Sequence, residues 1–342
     1  MTYAYNIHDI LKVESDIALL NEPFHRYFLT DEVSEPDISI KMYKDFEFPT
    51  NGLSRHDLWF YGKEGEDFVY YEDKIFGMKD KVLVKNLKGK TEIQATKSTL
   101  RINLRSRGSL FDLVEAIIDF KLLKSGYTVL HAACLSKDGS AIVLTGFPNI
   151  GKTLSTLYLL KNGFKYLSDD DTLVDYKGNA YCYPTTSAIG YEDFVKFIDP
   201  EDVGKGFYYR VLLKTWIMNK SKIIPRIFNW PKLFLPDSGY ELTDKSKVKI
   251  VCSLEIGERK IKQIEPEKLV PKILVMNDYS RPRIHQNPFM QVYAYFNDLS
   301  FVELYEKERE ILLSILRNCK CYSLACNQRD WGSVLSEVLS RK

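Results

Sequence analysis

The chain has 342 residues, of which 45% are hydrophobic and 27% are charged, and its formal net charge is +2. This is the composition of a globular protein with one large or two smaller domains, and the small net charge argues against a general affinity for polyanions. The N-terminal segment MTYAYNIHDILKVESD has acidic residues and no apolar core, so we do not expect a secretion signal, and no apolar run is long enough to span a membrane. Six cysteines in a chain of this length do not form a disulfide scaffold, which favours a cytoplasmic location.

Residues 1–95 predict a β-rich N-terminal region. Segments such as Ile38–Met42, Asp67–Tyr71 and Lys81–Val84 alternate or cluster strand-forming residues, and glycine-containing turn signals separate them. The pattern favours antiparallel strands. We expect the aromatic residues of this region to form its core: Phe24, Tyr27, Phe28, Trp59 and Tyr61.

A helix and two strands are predicted next. Ser109–Lys124 has an apolar stripe at helical spacing, with Ser109 as the expected N-cap. Thr128–Leu135 predicts a buried strand, and Lys137-Asp138-Gly139 a tight turn into the strand Ala141–Leu144.

The segment that follows this strand carries the most specific motif of the chain. It fits the pattern G-x-x-x-x-G-K-[ST] with the residues Gly146, Phe147, Pro148, Asn149, Ile150, Gly151, Lys152 and Thr153. In such a loop, glycines let backbone N–H groups approach phosphate oxygens at the N-terminus of a helix. The lysine can reach the β- and γ-phosphates, and the hydroxyl can bind Mg²⁺. The motif therefore predicts a nucleotide phosphate site.

The residues after the motif supply carboxylates. A helix pattern ends at Gly163, and the strand-like run Phe164–Leu167 leads to Asp169, Asp170 and Asp171. A strand that ends beside the phosphate loop would bring these carboxylates to it, although a solvated loop is the alternative.

Residues 191 to about 245 form the least regular part of the sequence. Basic residues alternate with aromatic ones there, and Pro225, Pro231 and Pro236 interrupt long elements. We predict that residues 205–240 form a mobile lid or acceptor-side insertion over the phosphate loop. A packed subdomain with a solvated basic face and an RNA-binding surface are the alternatives, and we do not expect nucleic acid to be the partner.

The C-terminal third predicts several strands and helices. Val248–Glu255 predicts a strand, Pro266–Val275 a helix opened by proline, and Glu303–Asn318 an amphipathic helix. Cys319, Cys321 and Cys326 lie close together in sequence, and the alternation in Cys319–Cys326 fits a strand over Cys321–Cys326 better than a metal site. Trp331–Leu339 predicts a final helix.

The sequence from His131 to Asp170 resembles the catalytic domain of HPr kinase/phosphorylase and its relatives. The shared features are a strand that ends in His131 and is followed by Ala132-Ala133, the hairpin into Gly146–Thr153, a helix that ends at Gly163, and a strand that leads to Ser168-Asp169-Asp170. The resemblance extends more loosely over residues 95–342, and residues 1–95 do not match the N-terminal domain of true HPr kinases. It implies an α/β fold with a mixed sheet, a P-loop and a core like that of phosphoenolpyruvate carboxykinases.

The resemblance also implies roles for individual residues. His131 falls at the family's active-site histidine, Asp169 at the carboxylate that acts on the acceptor hydroxyl, and Asp170 at its neighbour near the metal. Two departures are evident. Phe147 and Pro148 stand where small or polar residues are usual, and the family's Asn-Pro-Gly-Arg-like segment is not found, with Arg281 and Arg283 as the nearest candidates.

These observations predict a domain at 96–342 that is a kinase using ATP and Mg²⁺, with Asp169, His131 and Lys152 as catalytic residues and Thr153 and Asp170 at the metal. The acceptor would carry a hydroxyl group, as in a protein serine, a peptide or a small alcohol, and homo-oligomers are common in the family. The alternative is a regulatory or assembly protein that binds ATP or GTP without transferring phosphate.

Overall fold

The structure is a computed structural model. It describes residues 2–75, 78–100, 110–220, 231–281, 284–326 and 331–341. The chain divides into two units, Met1–Gly126 with Pro282–Glu308 and Tyr127–Arg281 with Arg309–Lys342. The domain boundary at residue 95 stays a prediction. Ser109, the expected N-cap, and Arg283 lie outside the described residues.

The first unit is rich in strands, as predicted. Its N-terminal elements are β1 (Tyr3–Ile7), β2 (Leu11–Ser15), α1 (Glu22–Phe28), β3 (Leu29–Thr30), β4 (Ile38–Tyr43), β5 (Ser54–Arg55), β6 (Phe60–Gly62), β7 (Phe68–Ile75), β8 (Met78–Lys85) and β9 (Thr91–Thr96). A 3-10 turn (Lys97–Leu100) and α2 (Leu110–Lys124) follow. Phe24 and Phe28 are buried in its core, whereas Tyr27, Trp59 and Tyr61 are only partly buried.

The sheet of this unit has the strand order β3-β1-β2-β4-β9-β8-β7-β6-β5. Most neighbours are antiparallel, but β4 pairs in parallel with both β2 and β9. The expectation of antiparallel strands is therefore wrong at β4. Alternation of apolar and polar residues shows which face of a strand is buried, but it does not show in which direction its neighbour runs.

The second unit begins with the long strand of the candidate site. Its elements up to residue 220 are β10 (Tyr127–Lys137), β11 (Ser140–Thr145), α3 (Lys152–Lys161), β12 (Lys165–Ser168), β13 (Asp171–Asp175), β14 (Asn179–Tyr181), β15 (Ser187–Ala188), α4 (Tyr191–Phe197), α5 (Pro200–Val203) and α6 (Lys205–Lys220). The predicted hairpin turn into β11 is confirmed, with positive φ at Asp138 and Gly139.

The elements from residue 231 onward include the strands and helices that the sequence predicts there, and the segment Pro282–Glu308 among them belongs to the first unit. They are β16 (Lys232–Leu233), a 3-10 turn (Leu235–Ser238), β17 (Lys245–Ile256), β18 (Lys260–Gln263), α7 (Pro266–Ser280), a 3-10 turn (Ile284–Gln286), α8 (Pro288–Phe296), α9 (Phe301–Leu316), β19 (Lys320–Cys326) and α10 (Gly332–Ser340). The helix that begins at Pro266 is longer than predicted and ends at Ser280 instead of Val275.

The sheet of the second unit is mixed. Its order is β11-β10-β13-β14-β17-β19-β18, with β12 also paired to β10 and β11 also paired to β17. The pairings of β17 with β11 and β19 are parallel, and those of β10 with its neighbours are antiparallel. Helix α3 packs against this sheet through Leu157 and Leu160, within a core that also contains Trp331. Strand β11 and helix α3 thereby hold the two ends of the glycine-rich loop.

Residues 191–220 are more regular than the sequence suggested. Helix α6 runs over Lys205–Lys220 and packs against α4, with the rings of Phe194 and Tyr208 5.0 Å apart. Only a narrow face of α6 is buried, at Tyr208, Thr215 and Met218, so its apolar periodicity is weak in the sequence. Residues 221–230 of the predicted lid lie outside the described residues. The motion of 205–240 stays a prediction.

Within the described part of the chain, no helix combines the length and the hydropathy needed to cross a membrane.

Candidate functional site

The glycine-rich segment Gly146–Thr153 connects β11 to α3, with the strand before it and the helix after it that the motif requires. Gly151 has a φ of 108° and a ψ of 21°, a conformation in which a side chain would be strained. A Cβ atom on Gly146 would lie 3.1 Å from the carbonyl oxygen of Leu254 and 3.0 Å from the side chain of Ile150. The backbone conformation therefore favours glycine at position 151, and close packing favours glycine at position 146.

The loop is also held from outside. The indole Nε1 of Trp331 donates a hydrogen bond of 3.0 Å to the carbonyl oxygen of Ile150. Trp331 is fully buried, so this bond ties the middle of the loop to the core. Gly151 stands at the N-cap of α3 and contributes no side chain to cap the first turn. The N–H groups of this turn carry the positive end of the helix dipole.

Lys152 is a buried lysine whose partners are neutral. Its Nζ atom lies 2.8 Å from His131 Nε2, 2.9 Å from the Gly146 oxygen and 3.4 Å from the Phe147 oxygen. Only 6% of the residue is exposed. Burial lowers the pKa of Lys152, although the three nearby aspartates favour its charged form. The ammonium group is thus held at the loop by neutral acceptors.

His131 accepts a hydrogen bond from Lys152. Because an ammonium group can only donate, Nε2 of His131 is the acceptor and the neutral ring carries its proton on Nδ1. This Nδ1 lies 3.4 Å from Asp170 Oδ1. Burial, with the charges of Lys152 and Arg281, lowers the pKa of His131 to about 4 against the attraction of Asp171. The imidazole is therefore neutral at physiological pH.

Asp169 and Thr153 form the second contact between the loop and the carboxylates. The Thr153 hydroxyl donates a hydrogen bond of 2.9 Å to Asp169 Oδ2. Asp169 is 2% exposed, and its other oxygen, Oδ1, has no hydrogen-bond partner among the described residues. A buried carboxylate oxygen without a partner is energetically costly unless something else binds it.

Asp170 is the open member of the carboxylate group, with 56% of its side-chain surface exposed. The surrounding protein nevertheless removes part of the hydration of the carboxyl group, and this loss raises the pKa of Asp170 to about 6. The charges of Asp171 and Asp169 add to this effect, and Lys152 and Arg281 oppose it. Asp170 therefore titrates near neutral pH, where a proton acceptor is most useful.

A break between two strands places these carboxylates. Strand β12 pairs with β10 up to the pair Ser168 and Cys134, and β13 pairs with β10 from Asp171 and His131 onward. Asp169 and Asp170 fall in the gap between the two strands, so they are free of the strict alternation of a continuous strand. His131 lies in the middle of β10 rather than at its end, directly opposite Asp171.

Helix α7 contributes two residues that sequence reasoning missed or left open. The Asn277 side-chain oxygen accepts a hydrogen bond of 2.8 Å from the His131 backbone N–H. The Arg281 guanidinium lies 2.6 Å from Asp171 Oδ1, with 3% of the Arg281 side chain exposed. Asn277 was detectable as a polar residue in the apolar stripe of Val270, Ile273 and Leu274, all of which are buried on α7. Arg281 was named from the sequence, without a role.

The structure thus brings together His131, Lys152, Thr153, Asp169 and Asp170. No group of three or more His, Cys, Asp or Glu side chains that could hold a metal exists in the described ranges. Such a cage is not required by Mg²⁺, which binds through one or two protein oxygens together with phosphates and water. The Thr153 hydroxyl and the unpartnered oxygen of Asp169 fit that requirement.

Comparisons with known proteins add little to this geometry. No protein-family model matches the chain, and no curated protein matches it. Among solved structures, the Hpr(Ser) kinase/phosphatase from Coxiella burnetii is similar to 44% of this chain and 96% of its own length. The sequence identity is 16% and the TM-score is 0.23. A similarity this weak does not establish a common family.

Proposed function

We propose that this chain is an ATP-dependent, Mg²⁺-requiring kinase that phosphorylates a hydroxyl group. One observation carries the proposal: the side chains of Lys152, Thr153 and three aspartates converge at a glycine-rich loop that precedes a helix. Phosphoryl transfer needs positive charge at the phosphates, oxygen ligands for a divalent ion and a proton acceptor for the incoming hydroxyl. The site contains a candidate for each requirement.

Lys152 would hold the transferred phosphate. Its present hydrogen-bond partners are neutral groups, so its charge is available to an anion. The N–H groups at the start of α3 would add further donors. Bound Mg²⁺ would supply charge neutralisation at the β- and γ-phosphate oxygens, with Thr153 and Asp169 as its protein ligands.

The contacts favour an exchange of the two aspartate roles predicted from the resemblance. Asp169 touches the Thr153 hydroxyl and is buried, which suits a metal ligand. Asp170 is open, has a pKa raised to about 6 and faces Nδ1 of His131. In this proposal Asp170 accepts the proton of the acceptor hydroxyl, and His131 orients the Asp170 carboxylate by donating to it.

Transfer from γ-labelled ATP tests the proposal with two matched variants. Asp170→Asn should reduce phosphoryl transfer by roughly 10²–10⁴-fold, the usual contribution of a general base, while Mg²⁺ still strengthens ATP binding. Asp169→Asn should remove that effect of Mg²⁺ on binding. If the Asp170 variant transfers phosphate at the wild-type rate, Asp170 is not the base.

The acceptor can be sought without knowing its class, by screening metabolites and peptides for an ATP-dependent mass gain of one phosphate. Nucleotide binding without any labelled product, for every acceptor tried, would favour the alternative of a regulatory or assembly protein.

A further inference from the structure

An exposed pair of aromatic side chains stands at the rim of the glycine-rich loop. Phe147, the second residue of the loop, is 45% exposed, and Tyr279 of α7 is 71% exposed. Their ring centroids are 5.3 Å apart and their planes meet at 85°, an edge-to-face arrangement. Both residues belong to the second unit.

The backbone of Phe147 belongs to the loop interior although its ring lies outside. The Phe147 carbonyl oxygen is 3.4 Å from Nζ of Lys152, the group proposed to bind phosphate. Gly146, its neighbour, is packed closely against the backbone of β17. The ring of Phe147 is therefore attached to a residue whose backbone contacts the group proposed to bind phosphate.

Packing of the core does not account for this pair. On α7 the inward stripe is buried, as at Ile273 and Leu274, whereas Val275 and Tyr279 are on the outer face and are exposed. A single exposed aromatic residue is ordinary. Here two exposed aromatic residues contact each other, and one of them belongs to the only G-x-x-x-x-G-K-[ST] motif of the sequence. The exposed Val275 lies one helical turn before Tyr279.

We infer that Phe147 and Tyr279 form a stacking platform for the base of the bound nucleotide. This inference rests on the proposed function, because the phosphates must lie in the loop for the base to reach the rim. Stacking recognises the area of a ring rather than its hydrogen-bonding edge. The platform should therefore prefer purine to pyrimidine nucleotides and should accept ATP and GTP with similar affinity.

The test compares ATP with inorganic tripolyphosphate, which has the same phosphate chain and no base. In the presence of Mg²⁺, the wild-type protein should bind ATP more tightly than tripolyphosphate. Phe147→Ala and Tyr279→Ala should each weaken ATP binding by roughly five- to 150-fold, the usual size of a base–aromatic contact. For Tyr279→Ala, whose side chain lies outside the phosphate loop, tripolyphosphate binding should stay within about twofold of wild type, since the loss is confined to the stacking contact.

Two controls separate stacking from structural damage. Tyr279→Phe keeps the ring and should bind ATP like the wild type. Tyr176→Ala removes an exposed aromatic residue from the turn that follows β13. Asp171 is at the other end of this strand, so the variant should bind ATP and tripolyphosphate like the wild type.

Each outcome decides between the platform and the phosphate site. Equal affinity of the wild-type protein for ATP and tripolyphosphate would overturn the platform and leave the phosphate site standing. Equal weakening of both ligands by Tyr279→Ala would do the same. Failure of the wild-type protein to bind either ligand would overturn the proposed function and the platform with it.

Discussion

Two buried lysines, one in each unit, show how a structural cation differs from a candidate catalytic one. Lys81 in β8 has 4% of its side chain exposed, and its Nζ lies 2.9 Å from Asp45 and 3.9 Å from Glu72. Lys152 is almost equally buried, but its Nζ contacts the neutral His131 ring and two backbone oxygens. Burial alone therefore does not distinguish them.

The two lysines differ in which pKa values are shifted at each site. Hydrogen bonds from Lys81 and from Lys79 lower the pKa of Asp45 to about 2, so the positive charge of Lys81 is matched by its neighbours. At Lys152 it is the pKa of the lysine itself that is lowered, by burial, and the pKa of nearby Asp170 is raised to about 6. Charged groups whose pKa values are strongly shifted by burial and by neighbouring charges are typical of functional sites rather than of structural ion pairs.

The largest expected effect is the loss of activity in Lys152→Ala. If the Lys152 charge serves the transferred phosphate, ATP turnover should fall by at least roughly a thousandfold, the scale seen when a charged group that stabilises the transition state is removed. Steady-state turnover of γ-labelled ATP measures this. Turnover at the wild-type rate would make Lys152 as structural as Lys81.

The buried pair of Arg281 and Asp171 should matter mainly for stability. Arg281→Met leaves the Asp171 carboxylate without its guanidinium partner at 2.6 Å and should lower the free energy of unfolding by about 3 kcal/mol. Urea denaturation measures this change. The double variant Arg281→Met/Asp171→Asn should recover part of the loss, and strictly additive effects would show that the two groups are not coupled.

Lys81 supplies the matching control in the first unit. Lys81→Met keeps the aliphatic stem but removes the bonds to Asp45 and to the Phe46 carbonyl oxygen. We expect it to lower the free energy of unfolding by about 1–3 kcal/mol, since a partly buried carbonyl group loses its donor. The ATP turnover of the folded protein should be unchanged, and a large loss of turnover would remove the contrast between the two lysines.

The pH dependence gives the smallest and most specific effect. Asp170 must be deprotonated to accept a proton, so phosphoryl transfer should rise with pH through about 6. Its folded-state pKa is raised from 3.8, so the folded protein binds this proton more tightly than the unfolded chain. The stabilisation from that proton is lost as pH rises through about 6.

Asp170→Asn should consequently remove this step from the pH profile and raise the melting temperature more at pH 7 than at pH 4. His131 works in the opposite direction: its pKa is lowered from 6.5 to about 4, so stability is lost as pH falls through that window. A variant whose melting temperature changes equally at both pH values would contradict the assignment of the raised pKa to Asp170.

The local elements of the site were predictable because each has a short-range cause. The strand, the glycine-rich loop, helix α3 and the turn at Gly163 all appear where the pattern of Ala141–Leu167 predicts them. Their residues carry the necessary geometry themselves, through positive φ at Gly151 and apolar spacing along the helix.

The contacts made by distant residues were not predictable in the same way. Asn277 reaches His131 across 146 residues of sequence, and nothing in its local pattern names that partner. The direction of β4 and the existence of helix α6 were also missed, because alternation is the same for parallel and antiparallel strands and a narrow buried face gives a weak helical signal.

Equilibrium binding of Mg²⁺–ATP to wild-type protein, Lys152→Ala and Lys81→Met tests the central claim most directly. The account predicts that the wild type and Lys81→Met bind ATP with the same affinity and that Lys152→Ala binds it at least roughly tenfold more weakly, as expected for loss of a charge-assisted contact to phosphate. Equal affinity of all three proteins, or no binding by the wild type, would contradict the assignment of Gly146–Thr153 as the phosphate site.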